Sequence, residues 1–321
     1  MKTRILITIG DMNGIGPEII LKALGTPGIT DTYDITLIAP TTVIEYYYRL
    51  LGLEPMQGKF NIISICEGKA NVEPGVESKE AGYIAGFAIK MAVNLCVEER
   101  YDAIVTAPIS KNALNLGGFK YAGHTEMLTE LDNPISSAMV MISDKLKIGF
   151  ATTHPPLDKV AGLITKKLME EKIRTCFYSM KNDFGIEEPK IGVLSLNPHA
   201  GEHGQIGNEE IKVITPVLEK LKETFKTSSL DGPFSSDAYF GNKTYERYDM
   251  TFALYHDQGF IPFKMIAGLK GVNYTAGLSF VRTSPDHGTA FDIAGKNIAD
   301  PASIIEAIKA ADIITKNRKE I

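Results

Sequence analysis

The sequence predicts an α/β protein built as two lobes with a cleft between them and a largely parallel sheet. Three observations predict it. Short apolar runs alternate with amphipathic helical stretches along the whole chain. Those runs break off at Gly, Pro, Asn or Asp, the residues of strand-to-helix turns. Finally, 321 residues exceed one average domain, yet no flexible linker stands out.

Each element follows from a local signal. The apolar run 4–10 reads as a first strand ending in Gly10, and 17–24 as a helix with Pro17 in its first turn. Residues 34–40 read as a strand, and 41–52 as a helix capped by Thr and stopped by Gly52. Residues 79–100 carry the longest helical pattern, followed by a buried strand at 101–108. The stretches 137–143 and 147–153 read as neighbouring strands, 165–185 as an amphipathic helix, and 190–198 as a strand running into a loop. A helix at 208–223 has acidic residues in its first turn. Strands at 250–256 and 278–283 and a closing helix at 301–316 complete the set. The expected lobes are 1–107 with 259–321, and 108–258.

Composition narrows the function. Hydrophobic residues make up 44% and charged residues 23%, ordinary for a globular enzyme. A net charge of −5 offers no basic footprint for nucleic acid or an anionic membrane, so neither is expected as a partner. An anionic ligand must then meet positive charge gathered locally. No apolar run is read as reaching the roughly 18 residues that span a bilayer. The amino-terminal stretch reads as a strand rather than a signal peptide. Cys66, Cys96 and Cys176 each sit in an apolar context, which predicts buried free thiols in a reducing cytoplasm.

Candidate chemistry collects behind the strands. His154, His199 and His256 each lie close behind an apolar run, where a parallel sheet binds ligands. Three imidazoles converging there would suit a divalent ion with open positions; the alternative is three isolated loop residues. Asp237 and Asp257 are carboxylates for the same region, or turn-forming caps. The segment 10–18, GDMNGIGPE, does not fit G-x-G-x-x-G. It either turns backbone N–H groups toward an anion or makes a plain tight turn. Ser110 and Lys111 follow a strand, and His124–Thr125 beside Gly123 place compact donors at a helix start, for a phosphate or as a simple cap. Lys264, Asn273 and Arg282 supply two cations and an amide in a short span.

The segment HGTAFDIAGKNIADP (287–301) resembles the adenosine-binding loop of the isocitrate and isopropylmalate dehydrogenase superfamily. Together with GDMNGIGPE, TAPISK, GHTE, ATTHPPL, NPHAGE, YHDQG and GVNYTAGLSFVRTSPDHGTA, it resembles the 4-hydroxythreonine-4-phosphate dehydrogenase family from about residue 5 to 310. The set is specific although each motif alone is weak. The chain departs from that pattern at Met12–Asn13, where Pro–Ala is commoner.

The resemblance implies a divalent metal (zinc, magnesium or cobalt) on His154, His199 and His256, with Asp237 close to it. It implies substrate contacts at His124, Thr125, Lys264, Asn273 and Arg282, and NAD or NADP held by His287, Gly288, Thr289 and Asp292. It implies a homodimer whose active site is shared, with His256 supplied by the second subunit. The implied reaction oxidises a small phosphorylated hydroxy acid at C3 and then loses CO2, with Lys111 as a possible acid or base. Paralogues acting on four-carbon sugar-acid phosphates fit the same residues. Three other classes are a metallohydrolase, which would need no nicotinamide, a phosphotransacetylase-type acyltransferase, which would need no metal trio and no HGTAFDIAGK segment, and a non-enzymatic binding module, which explains none of the polar strand ends.

Overall fold

The computed structural model describes every residue except Met1, Glu67, Lys69, Ala122, Thr227, Ser228 and Ile321. The chain forms two compact units, Met1–Pro134 with Leu278–Lys319, and Ile135–Gly277 together with Glu320. The divisions fall at 134/135 and 277/278, whereas the expected lobes divide at 107/108 and 258/259. The reason is packing. The two short helices after residue 110 lie on the long helix of the first unit, and the strand at 272–276 pairs inside the second.

The first unit contributes β1 (Arg4–Thr8), α1 (Gly16–Leu24), α2 (Ile29–Thr32), β2 (Asp34–Ala39), α3 (Thr41–Leu51), β3 (Asn61–Ser64), α4 (Lys79–Val97), β4 (Ala103–Thr106), α5 (Lys111–Leu116) and α6 (His124–Asp132). The second contributes β5 (Ala138–Ile142), β6 (Lys147–Phe150), α7 (Leu157–Leu163), α8 (Lys166–Asn182), β7 (Ile191–Leu194), α9 (Thr215–Phe225), β8 (Leu230–Phe234), α10 (Ser236–Gly241), β9 (Met250–Ala253), α11 (His256–Ala267) and β10 (Val272–Ala276). The chain then returns to the first unit as β11 (Val281–Pro285) and α12 (Ala302–Lys319).

In the first unit the strand order is β3-β2-β1-β4-β11, with every pair parallel. Both faces of such a sheet are covered, so its inner strands are continuous apolar runs. Ile5, Leu6 and Ile7 in β1, and Ile104 and Val105 in β4, are fully buried. In the second unit the order is β10-β5-β6-β9-β7-β8. Here β6, β9, β7 and β8 are parallel, while β5 runs antiparallel to both β10 and β6. A tight turn closed by Ser143 N–H on the Leu146 carbonyl (3.0 Å) joins β5 to β6, too short for the crossover that parallel strands require.

Local signals fail where tertiary context takes over. Pro40, not Thr41, precedes α3, although Gly52 ends it in the left-handed conformation as expected. The helix foreseen at 208–223 opens with a π turn, Glu210–Ile214, because Pro216 in the first turn of α9 cannot donate backward. Strands β3, β8 and β10 have weak signals: β3 is short and mostly exposed, and β8 carries Pro233. Helix α4 is long and apolar enough to cross a membrane by length and composition, which corrects the reading that no run reaches that length. Its 18-residue window is 61% buried within the protein. Gly82 faces α5, where a Cβ would lie 1.7 Å from the Ala113 carbonyl oxygen, and Gly86 faces the Phe119 ring beyond it. Cys96 and Cys176 are buried as expected; Cys66 is exposed, because it sits in the turn after β3 with φ +57°.

Candidate active site

In the first unit, β1, β4 and β11 are neighbours, and their carboxyl ends converge on one edge. The β1–α1 turn is stitched into that edge. A Cβ on Gly10 (φ +70°) would lie 2.4 Å from the Pro108 carbonyl oxygen, so only glycine fits there. Asp11 N–H donates to the Pro108 carbonyl (2.8 Å), Asn13 N–H to Asp11 Oδ1 (2.9 Å), Gly14 N–H to the Asp11 carbonyl (3.0 Å) and Ile15 N–H to the Thr289 carbonyl (2.9 Å). Those four donors are committed within the protein. Of the two readings of this segment, the tight turn is the one the geometry supports. Asp11 is 1% exposed and its Oδ2 has no hydrogen-bond partner. Burial, with a smaller push from Glu77, raises its carboxyl to about 6.

Arg282 stands opposite Ile104 in the β11–β4 register and is 1% exposed. Its Nε and Nη2 both donate to Thr106 Oγ1, at 3.2 and 2.7 Å. Burial lowers the guanidinium to about 9, and the charge of Glu126 works the other way. His124 opens α6 behind the N-cap Gly123, so Thr125 is not the cap. The His124 Nε2 atom is buried without a partner, and burial, then the nearby Arg282 charge, holds the ring well below the usual histidine range. A neutral imidazole beside a desolvated guanidinium forms a donor cradle with capacity for an anion. Lys111 begins α5 and is exposed. A Cβ on Gly123 would lie 3.6 Å from Lys111 Cε and 3.2 Å from Glu126 Oε2, which places both side chains beside the start of α6.

The segment after β11 belongs to the same unit. His287 Nδ1 lies 3.1 Å from the Gly288 carbonyl, and its Nε2 is buried without a partner. Gly288 faces open space, Thr289 packs on Gly14, and Asp292 is exposed. Two turn bonds, Ile293 N–H to the Ala290 carbonyl and Lys296 N–H to the Ile293 carbonyl, fold the loop on itself. At its far end Glu18, fully buried, accepts from Ala299 N–H (2.8 Å), while Lys22 bridges Glu18 (2.8 Å) and the Ala299 carbonyl (2.9 Å). A rim held at both ends, with a free carboxylate and an open glycine, suits a ligand bearing sugar hydroxyls.

In the second unit β6, β9 and β7 are adjacent, and His154, His256 and His199 follow them in that spatial order. The His154 and His256 ring centroids are 5.9 Å apart. His256 stacks on Phe260 at 4.1 Å, and its Nδ1 lies 2.7 Å from Asp257 Oδ1. A carboxylate at Nδ1 orients the ring and leaves Nε2 for a ligand, the usual arrangement around a metal-binding histidine. His199 is exposed in the turn Pro198–Gly204, where six consecutive residues, 199–204, have positive φ. Such backbone is costly and persists only when its surroundings impose it. Glu210, 2% exposed, holds the entry to this turn by accepting from the N–H groups of Leu196 and Asn197, both at 2.8 Å. Asp237 is exposed at the start of α10. The Ser235 hydroxyl (2.6 Å), then the Ala238 N–H and, among smaller causes, the His199 charge, hold its carboxyl below the ordinary range. Among the described residues, no three His, Cys, Asp or Glu side chains form a ready-made metal set. His154 and His256 come together, and His199 is near enough to Asp237 for its charge to help lower that carboxyl. The imidazole and carboxylate chemistry nonetheless fits a divalent transition ion.

Lys264 is exposed on α11, and Asn273 is half-buried on β10 with its Oδ1 unpartnered. Sequence reasoning missed Thr106, Glu126, Glu210 and Gln258. Gln258 donates to the Ser195 carbonyl (2.5 Å) and Ser236 Oγ (2.9 Å) and accepts from Leu254 N–H (2.6 Å), tying the ends of β7 and β9 to α10. Its only sequence signal was its place beside His256 and Asp257.

Residues 29–311 match the family described as pyridoxal phosphate biosynthetic protein PdxA. The chain is 41% identical to 4-hydroxythreonine-4-phosphate dehydrogenase of Prosthecochloris aestuarii, over 97% of each chain. It is 37% identical to D-threonate 4-phosphate dehydrogenase of Pectobacterium atrosepticum, over 97% of this chain and 99% of that one. Among solved structures, 4-hydroxythreonine-4-phosphate dehydrogenase of Klebsiella pneumoniae superposes with a TM-score of 0.87 at 34% identity, covering 98% of both chains.

Proposed function

Since the chain belongs to the pyridoxal phosphate biosynthetic protein PdxA family of dehydrogenases, we propose that it oxidises 4-phosphohydroxy-L-threonine at C3 with NAD or NADP. The resulting 3-keto acid loses its carboxyl group as CO2, leaving 3-amino-2-oxopropyl phosphate, in the route to vitamin B6. The observation that carries this reading is the buried Arg282 on Thr106 with the unpartnered His124 Nε2 nearby, polar groups whose chemistry suits an anion such as a phosphate.

The roles follow from placement. Arg282 and His124, with Thr125, bind and orient the phosphorylated end; Lys264 and Asn273 hold the remaining polar groups. Fixing the substrate in this way is worth several kcal/mol when the geometry is right. His154, His199 and His256 would hold one divalent ion (zinc, magnesium or cobalt), with Asp237 at its edge. That ion would lower the pKa of the C3 hydroxyl and draw electron density as CO2 departs. The nicotinamide cofactor, held on its adenosine side by His287, Gly288, Thr289 and Asp292, would take up the C3 hydride. Lys111, beside the start of α6, is placed to return a proton to carbon after decarboxylation. In this reading the first unit is the cofactor-binding lobe and the second the metal and dimerisation lobe, and the protein works in the cytoplasm as a homodimer. Supports are the two buried free thiols and the exposed apolar side chains Ile261 and Met265 on α11 with Leu269 in the turn after it, which suit a second copy of this chain.

The assay is NAD(P)H formation with 4-phosphohydroxy-L-threonine and with threonate 4-phosphate, each across several divalent ions. Faster turnover of the amino acid is expected. Preference for threonate 4-phosphate favours the second reading, which the Pectobacterium relative supports. No NAD(P)H with either acid ends the proposal. Sharing of the site is tested by mixing His154→Ala and His256→Ala subunits. With His256 supplied across a dimer, verified mixed dimers regain up to about half of wild-type activity, because one site collects both lesions. The 5.9 Å pairing of the two rings in one chain defines the rival arrangement, in which no activity returns.

A further inference from the structure

We propose that residues 73–78 are a positioning strap that holds the 287–300 loop and the start of α5 in one frame, anchored by the buried Asn13. This rests on the reading of the 287–300 loop as the cofactor rim.

Asn13 is fully buried, and it departs from the residue common in the resembling segment. Its Oδ1 accepts from Glu73 N–H (2.8 Å), its Nδ2 donates to the Val76 carbonyl (2.8 Å) and reaches Ser78 Oγ (3.4 Å), and its own carbonyl accepts from Gly75 N–H (2.8 Å). One side chain thus satisfies both ends of the strap's turn, while its backbone holds the middle. An alanine there would make none of the three side-chain bonds.

The middle of the strap meets the loop. A Cβ on Gly75 (φ +87°) would lie 3.1 Å from the Phe291 carbonyl oxygen, and one on Gly295 (φ +75°) would lie 2.9 Å from Pro74 Cβ. The far end of the strap meets α5: the Glu77 carboxylate accepts from Ser110 Oγ and from Asn112 Nδ2 (2.7 Å), the residues on either side of Lys111. Those two bonds also hold the Glu77 carboxyl below its ordinary range. The same β1–α1 turn that carries Asn13 binds the loop directly through Ile15 N–H on the Thr289 carbonyl. Loop and strap are therefore both hydrogen-bonded to the same turn and packed against each other. Loosening the strap should loosen the rim, although no strap residue needs to touch the cofactor.

The test compares wild type with Asn13→Ala by hydrogen exchange on the whole protein and by calorimetric titration of NAD and NADP. Exchange should quicken in 73–78 and also in 287–300. Cofactor affinity should fall by about three- to tenfold, the scale of one or two lost hydrogen bonds, with bound metal unchanged. Faster exchange confined to 73–78, with unchanged affinity, overturns the proposal. If wild type binds neither nucleotide, the cofactor reading fails by itself, and exchange in 287–300 alone decides whether the strap is coupled to the loop. Should Asn13→Ala not fold, Glu77→Gln at its exposed position carries the same readouts, plus exchange at 110–116; no change in any of them overturns the proposal.

Discussion

The two units arm their strand ends in opposite ways. The first unit sinks its polar groups: Arg282 and Asp11 are each 1% exposed, and the His124 Nε2 atom is out of reach of water. The second keeps its imidazoles nearer the surface, His154 and His199 in exposed loops and His256 half-buried at the start of α11, where Asp257 and Phe260 hold its ring. Burial shifts protonation and costs desolvation before any ligand arrives, so it suits an anion whose charge is constant. An imidazole near the surface can take up or exchange a metal, with geometry supplied by neighbours. One edge is preorganised electrostatically, the other mechanically.

The largest expected effect tests the first half of that contrast. Arg282→Met removes the buried charge and keeps much of the volume. The KM for the phosphorylated substrate should rise about 10- to 100-fold, the scale of lost charge-assisted hydrogen bonds. Stability should hold or increase, because replacing a desolvated charge with an apolar side chain is often neutral or favourable. Substrate kinetics and thermal melting check this together; a protein that unfolds would make the guanidinium a structural element instead.

A smaller effect tests the second half. Asp257→Asn should weaken metal binding by about tenfold, the lower end for an outer-sphere partner, because the Asp257 side chain is 72% exposed. Competition with a chelating dye measures it. Unchanged metal affinity would mean that Phe260 stacking alone orients His256.

The smallest effect sharpens the cost of burial. The Asp11 carboxyl, raised to about 6, lies above its unfolded value near 3.9, so the native state favours the proton. The stability it lends is present below about pH 4 and is lost as the pH rises through 6. Asp11→Asn should therefore gain on wild type between pH 4 and 7, by on the order of 2–3 kcal/mol at most. Chemical denaturation at both pH values measures the gap. A gap that stays constant with pH would show that Asp11 ionises as freely as in the unfolded chain.

Legibility in the sequence followed burial symmetry. Strands β1, β4, β7 and β9 are covered on both faces, and so they read as unbroken apolar runs. Strands β3 and β8 do not, because one is mostly exposed and the other carries a proline. Arg282 directly behind an apolar residue was a readable anomaly, whereas Thr106, its partner 176 residues earlier, was not.

The sequence by itself determined the α/β alternation, the polar residues behind the strands and the motif set that marks the family. Those properties depend on short-range periodicity and on residue identity at fixed spacings. Only the tertiary structure decided that GDMNGIGPE spends its N–H groups inside the protein, that Asn13 and Glu18 brace segments 60 and 281 residues away, and that the His154 and His256 rings lie 5.9 Å apart. Partners so far apart along the chain are chosen by how strands pair and helices pack, and neither leaves a local mark in the residues that meet.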